Sequence, residues 1–497
     1  MNIQLTLSGP FLTTKILDPQ RLGGTNGNLS MLRAAYADVQ NRLSKCLLRT
    51  DPSWNFFGDV IEADTDYDGK SYTGSAIFPE FLAQSKVSTL EIMDAVKRWE
   101  SVPFAVKFAS EAACGVSLRT GTININSCRV NIHDFGVGVV EIDLSWVGVG
   151  TETISEVRKE VEALTTSFAS LASILAGSKL QQFLSCLDQF SDIGSVFTTM
   201  SPGVSSQNSA SRPKVLWIHR IYAVTSEDWK QTEAALASAL LERHHITHCE
   251  DVSINPSVCL YPSIGGSLAF LKNSQSNNSV DFIVPLRAAI SLQNAYNAGI
   301  WMFDDVLFGR TVELMGEQDQ IVSDNVKLEG LMNHAHSILR LSSYISTFLS
   351  VLHNRISRSS PQQTILIENI YHAWRMELQR AALENKLAVL KEMYQVTLRL
   401  LADSEARTLN KLLFYFTLLS LITAVTTLAD FAVKAEEFHG FNVWRGGVVV
   451  GSFLLIFIAA SVYRLFRRKD KLRRMSLPED IFDETKFQKL NFPKSGK

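Results

Sequence analysis

The residues best suited to chemistry lie on one stretch near the C-terminus. Asn410, Thr417, Ser420, Thr423, Thr427 and Asp430 step by seven, three, three, four and three, and Lys434 follows four later. On a helix this spacing places them along one face. The other positions are mostly Leu, Phe, Ile, Val and Ala. In lipid, a polar stripe of this kind needs a partner helix or a water path. Ser and Thr hydroxyls can also bond their own backbone. Just beyond the stripe stand Glu436 and Glu437. Repeated around an axis, Asp430 and this acid pair would form rings that concentrate cations at an outer mouth. The stripe therefore predicts a pore lining, and the alternative is an anchor hairpin with polar helix–helix contacts.

Other constellations are weaker. His244, His245 and His248 contain an i, i+4 pair with Cys249 and Glu250 beside it, and surface histidines are the plainer reading. Asp64, Asp66 and Asp68 precede Gly69 like the start of a calcium loop, but Ser75 stands where that loop needs Glu. Gly23 to Gly27 is a glycine-rich loop without a phosphate-binding lysine. No nucleophile–base arrangement stands out, so an enzyme is not expected. No cofactor and no resident metal ligands are assigned.

The stripe must be positioned by a membrane helix. Leu412–Ala429 and Gly446–Tyr463 are uncharged apolar runs of equal length. Each would form a helix of roughly 27 Å, close to the hydrocarbon thickness of a bilayer. Only Asp430–Arg445 separates them, a connection short enough for a hairpin and too short for a domain. The second run has no polar stripe. Gly446, Gly447 and Gly451 permit close approach to the first, and Trp444 and Tyr463 mark its ends. Arg464, Arg467, Arg468, Lys469, Lys471, Arg473 and Arg474 follow it, opposed only by Asp470. Such an excess marks the cytoplasmic side, and a hairpin returns the chain, so both termini are expected in the cytoplasm.

From Gln362 to His439 there is no Gly and no Pro. Ser359-Ser360-Pro361 supplies a helix start. Leu383, Leu387, Leu390, Tyr394, Leu398 and Leu401 form one apolar stripe. A single helix is thus expected to run from cytosol into membrane.

Upstream, Pro103–Trp146 reads as several strands, Met31–Cys46 and Glu152–Ala172 as helices, and Ser201–Pro213 as a turn-rich linker. After it, Lys214–Val224 reads as a buried strand, and Ser226 caps a helix running to about His245. Ser267–Leu271 and Val280–Val284 read as strands, and Asn325–Ile356 as a long helix. The expected architecture is α+β and α/β cytosolic domains, a long stalk helix and a two-helix C-terminal transmembrane hairpin. Its parts are an α+β domain at 1–210, an α/β domain at 214–360, a stalk at 361–410, spans at 411–434 and 446–464 around an outer loop at 435–445, and a basic tail at 465–497.

Composition sets outer limits. The chain has 497 residues and a net charge of −2, which suggests no nucleic-acid partner. Its six cysteines include no CxxC pair and read as reduced cytosolic thiols. Met1-Asn2-Ile3 does not begin a signal peptide.

This order of parts resembles the CorA-type magnesium and cobalt transporters over roughly residues 214–474. The resemblance is carried by Val215-Leu-Trp-Ile218 before a helix, by His248-Cys-Glu-Asp-Val252, and by Arg407-Thr-Leu-Asn410 with Thr417 seven residues on. It implies a homopentamer whose first spans surround a pore for divalent cations, magnesium or similar, in the cell (inner) membrane. The family's Gly-Met-Asn signature would fall near Lys434-Ala-Glu436 and is not there. Gly440-Phe441-Asn442 stands some six residues later, either as a displaced variant at the outer mouth or as a turn. The family's mid-span proline is also missing. Residues 1–210 lie outside the resemblance. Two readings follow: a cation channel or transporter gated by its cytosolic part, or a membrane-anchored sensor that answers a small cytosolic ligand such as a nucleotide.

Overall fold

The computed structural model describes residues 2–18, 21, 29–55, 83–98, 106–110, 113–117, 121–148, 154–190, 194–200, 213–225, 233–241, 251, 258–263, 265–272, 279–322, 338–349, 361–434 and 451. Its centre is one mixed sheet. The strands are β1 (Asn2–Leu17), β2 (Trp54–Asn55), β3 (Ala83–Val87), β4 (Val106–Ser110), β5 (Ala113–Ser117), β6 (Gly121–Ile132), β7 (Phe135–Gly148), β8 (Phe197–Thr199), β9 (His219–Thr225), β10 (Val258–Ser263) and β11 (Gly266–Leu271). Eight of them follow the order β10-β11-β9-β1-β7-β6-β3-β2. β9 and β11 pair in parallel, and the other pairs are antiparallel.

Strand alternation divides the core into two layers. On β7, Val140, Ile142, Leu144 and Trp146 join one cluster, while Val137 and Val139 join the other. β9 does the same with Tyr222 and Val224 against Ile221 and Ala223. The first face is covered by α1 (Leu29–Thr50), α2 (Thr89–Lys97), α3 (Ile154–Gln189) and α4 (Glu233–Leu241). The second is covered by α5 (Ser279–Val322), α6 (338–349), α7 (Pro361–Ala373) and the start of α8 (Met376–Lys434). Gly138 lets the sheet close tightly, because a Cβ there would stand 2.2 Å from the Phe11 ring. In α2, Ser88 and Glu91 form a reciprocal capping box.

Several expectations change. The boundary near residue 210 does not separate two cores. β1, from the chain start, pairs with β9 through Gln4–Ser8, and Met1–Thr397 forms one compact unit. A linker-like composition reports local chain preference and is blind to long-range strand pairing. Val280–Val284 is helical, inside α5, although β-branched residues read as strand. α3 continues past Ala172 to Gln189. Of Lys214–Val224, the strand proper starts at His219, and Val215 forms an isolated bridge to Phe11. Residues 338–349 are helical within the expected 325–356 helix. The helix from Pro361 is broken at Trp374–Arg375, where Arg375 takes a left-handed φ of 53°. Trp374 is buried there, with its ring 4.8 Å from that of His219, and α8 then begins at Met376. A buried anchor thus interrupts a sequence that holds no helix breaker.

The second unit is Leu398–Lys497. Its described residues are the rest of α8 and Gly451.

Candidate functional site

α8 is 59 residues long and carries both expected stripes. In its first turns Leu383, Leu387 and Leu390 are buried in the second core layer. Tyr394 is half-buried and Thr397 buried, and the burial ends at Leu398, which is 40% exposed. The apolar stripe is therefore buried over its first half, in the core of the sheet unit and not between the helices of a separate stalk, and then runs out.

Among the described residues two helices are long and apolar enough to cross a membrane, Glu156–Gln189 and Leu409–Thr427. The first belongs to α3, where Phe168, Leu171 and Phe183 are buried against the sheet. The apolar window of the second is not buried at all, and Leu413, Phe416 and Leu419 stand open. Water is a poor solvent for such a surface, which falls outside what an exposed helix of a soluble protein normally carries.

The polar stripe lies on this exposed segment. Asn410, Thr417, Ser420, Thr423 and Thr427 are each exposed or half-exposed. Thr417 Oγ1 donates to the Leu413 carbonyl at 2.7 Å, Thr423 to Leu419 at 2.9 Å, and Thr427 to Thr423 at 2.8 Å. Thr426, off the stripe, also donates to Thr423. These hydroxyls are therefore satisfied inside the helix, which lowers their cost in lipid without water or a partner. Asp430 lies within the helical span, and its side chain is outside the described residues, as are Glu436, Glu437, Gly440, Phe441 and Asn442. Apart from Gly451, the second run, the basic segment after it, the three histidines and the Asp64–Gly69 loop also lie outside them.

The sheet unit holds polar groups that the motif reading missed. Lys179 is fully buried on α3. Its Nζ lies 2.5 Å from Asp51 Oδ2 and 2.8 Å from Glu91 Oε1, and it donates to Ser53 Oγ at 3.1 Å. Burial pushes the Asp51 carboxyl up, but Lys179 and Ser53 outweigh it and hold it at about 2. The triad ties α3 to α2 and to the turn after α1. One sequence signal pointed to it: Lys179 is the only charge between Glu162 and Asp188.

A second network sits on the sheet face under α5. Asp143 accepts from Thr6 at 2.8 Å and Ser127 at 2.6 Å, and Arg287 of α5 lies 3.1 Å from it. Glu141 is buried, with Arg129 at 3.5 Å. Burial raises its pKa, and the Arg129 charge opposes that. Three strands and one helix thus share a balanced set of two acids and two arginines. The alternation Glu141-Ile-Asp143-Leu in the sequence is its visible trace.

A third pair is His219 Nε2 and Ser267 Oγ, 2.9 Å apart. Both residues are buried, and the Trp374 ring covers the imidazole. Burial, helped by the Arg220 charge, lowers the His219 pKa to about 3. The imidazole stays neutral and closed off, and the pair fastens β9, β11 and the α7–α8 junction. Cys46, Cys128, Cys186 and Cys259 are buried thiols. Among the described residues no group of three or more His, Cys, Asp or Glu is placed to hold a metal ion.

No protein-family model and no curated protein matches the chain. Among solved structures, the full-length CmaX protein is similar over 53% of this chain and 94% of its own, at 9% identity and a TM-score of 0.23. A likeness at that level bears on neither mechanism nor substrate.

Proposed function

We propose that this chain is a membrane cation channel or transporter of CorA-like organisation. Its α8 continues from a stalk into the first span of a C-terminal hairpin, and several copies, five in the CorA-like arrangement, enclose a pore for divalent cations such as magnesium. The observation that carries the reading is α8 itself. It runs unbroken from the buried Leu383–Leu390 stripe into Leu409–Thr427, where the apolar window has no buried residue. A helix rooted in a folded unit and ending in bare apolar surface suits a span moved by that unit. The second run and the basic residues after it give the hairpin and its orientation. Asn410, Thr417, Ser420, Thr423, Thr427 and Asp430 line the path, with Glu436 and Glu437 at its outer mouth. Permeation is passive, driven by roughly 2.3 kcal/mol per elementary charge per 100 mV.

One observation favours a second reading. The threonine hydroxyls of the stripe bond their own helix and need no water. A membrane-anchored sensor, responding to a small ligand on the sheet unit, would keep the same span without conduction. Divalent uptake into proteoliposomes separates the two. In the channel reading, Thr427→Leu builds a dry constriction and stops uptake, whereas Ile422→Leu leaves it unchanged. Asp430→Asn lowers divalent flux without closing the path. Asn442→Ala matters only if Gly440-Phe441-Asn442 serves as the displaced signature. Equal uptake by wild type and Thr427→Leu removes the pore lining, and no uptake by wild type under any divalent or nucleotide condition leaves the sensor.

A further inference from the structure

We propose that Cys46 on α1 and Cys186 on α3 are a redox pair, closing to a disulfide under oxidising conditions and locking the two helices together on the first face of the sheet. The two stand 140 residues apart in the chain, so no motif reveals them. The fold brings them together, and two contacts show how. Asp51, the residue after α1, lies 2.5 Å from Lys179 Nζ. Further back on α1, the Cys46 thiol donates to Gln189 Oε1 at 3.9 Å. Going back along α1 therefore means going forward along α3, an antiparallel packing. Lys179, Cys186 and Gln189 step by seven and three, which puts them on one face of α3. Cys186 falls between the two contacts, and its thiol is hydrogen-bonded to that of Cys46. The sulfurs start in contact, so closing to the ~2.05 Å of a bond asks for adjustment of two side chains.

Both cysteines are buried, at 3% and 1% exposure, yet they lie directly beneath the surface. Lys45, Leu48 and Arg49 beside one, and Ser185, Asp188 and Gln189 beside the other, are exposed. Each cysteine is also about one turn from the end of its helix, at Thr50 and at Gln189. Terminal turns open more readily than the core of a folded unit. A small oxidant thus reaches the pair without unfolding the sheet. Burial, and then the Cys46 hydrogen bond, push the Cys186 thiol up, so exchange is slow. A low-molecular-weight disulfide such as oxidised glutathione supplies the oxidant. One protein thiolate attacks it, the small S–S bond breaks, and one small thiolate leaves. The second protein thiolate then displaces the other. Two protein S–H bonds and one small-molecule S–S bond are lost, one protein S–S bond and two small-molecule S–H bonds form, and two electrons pass to the oxidant. The new bond braces the junction that Lys179 otherwise holds by charge. Joining residues so far apart in the chain also restricts the unfolded state over a long loop.

The test uses the full chain, purified with reductant, freed of it, and treated with oxidised glutathione while folded. Remaining thiols are alkylated in denaturant before digestion with trypsin. The expected product is the peptide Cys46–Arg49 joined to the peptide that holds Cys186, released by reductant and missing from Cys46→Ser and Cys186→Ser chains. The urea midpoint of the oxidised chain should lie above that of the reduced chain, and oxidation should restore part of the midpoint lost in Lys179→Met. Full alkylation of both cysteines after prolonged oxidation overturns the pair. So does glutathione retained on either one without linkage, or a bond from either to another cysteine or a second chain. A bridge that forms only in urea, or one that leaves the midpoint unchanged or lower, overturns the lock.

Discussion

The two halves of α8 obey opposite solvation rules. Up to Thr397 its apolar residues Leu383, Leu387 and Leu390 are buried, and the unit they join also buries Lys179, Glu141 and His219 among partners. From Leu409 to Thr427 the apolar residues are open and the threonine hydroxyls turn back to their own backbone. The first pattern suits water outside and a close-packed core inside. The second suits a hydrocarbon solvent, in which backbone and hydroxyl groups must be satisfied within the helix. One continuous helix therefore carries two solvation patterns.

The comparison breaks most sharply with one substitution made in each half. Leu390→Asp places an unpaired carboxylate in a closed core and should destabilise Met1–Thr397 by on the order of 5 kcal/mol or more. Leu419→Asp, on the exposed segment, should leave that unit's denaturation midpoint where it was and disfavour membrane insertion by roughly 3 kcal/mol. Equal loss of stability in both variants would mean that the apolar segment is a core helix in the working assembly.

Lys179→Met tests how the sheet unit tolerates charge. It leaves Asp51 and Glu91 without their cation, and urea denaturation should show a loss of about 3–5 kcal/mol. An unchanged midpoint would mean that water already reaches the triad.

A smaller effect concerns pH. The His219 pKa is lowered to about 3 in the folded unit, from the ordinary 6.5. Between those values the unfolded chain binds the proton and the folded one does not. Stability from this group is therefore full above pH 6.5 and falls as pH drops through that window, by at most roughly 1.4 kcal/mol per unit. His219→Gln, which keeps a hydrogen-bonding partner for Ser267, should flatten the profile between pH 6.5 and 5. Asp51 acts in the same direction but lower, between its ordinary 3.8 and about 2, so of the two only His219 contributes to the slope well above pH 3.8.

What the sequence disclosed follows the same division. Local periodicity revealed α1, the start of α3, the β6–β7 region and the Leu383–Leu390 stripe, because each is written in neighbouring side chains. It did not disclose that β1 pairs with β9 although β2 to β8 lie between them in the chain, because such pairing is decided by shape over long range. The same holds for the break at Trp374–Arg375, which is set by a buried ring and not by a glycine or proline. Val280–Val284 went astray because strand preference gave way to the packing of α5. At the candidate pore, spacing found the threonines, while their bonds to the backbone became visible only once the helix was built.

The central claim is that α8 leaves the sheet unit and enters a membrane, with the chain returning to the side it left. Cysteines placed singly at Glu437 and Gly496 of the full chain, in intact cells treated with an impermeant thiol reagent, test it most directly. Glu437→Cys should be labelled from outside, and Gly496→Cys only after the cells are opened. Labelling of Gly496→Cys from outside with Glu437→Cys protected, or release of the whole protein into the soluble fraction, would contradict the account.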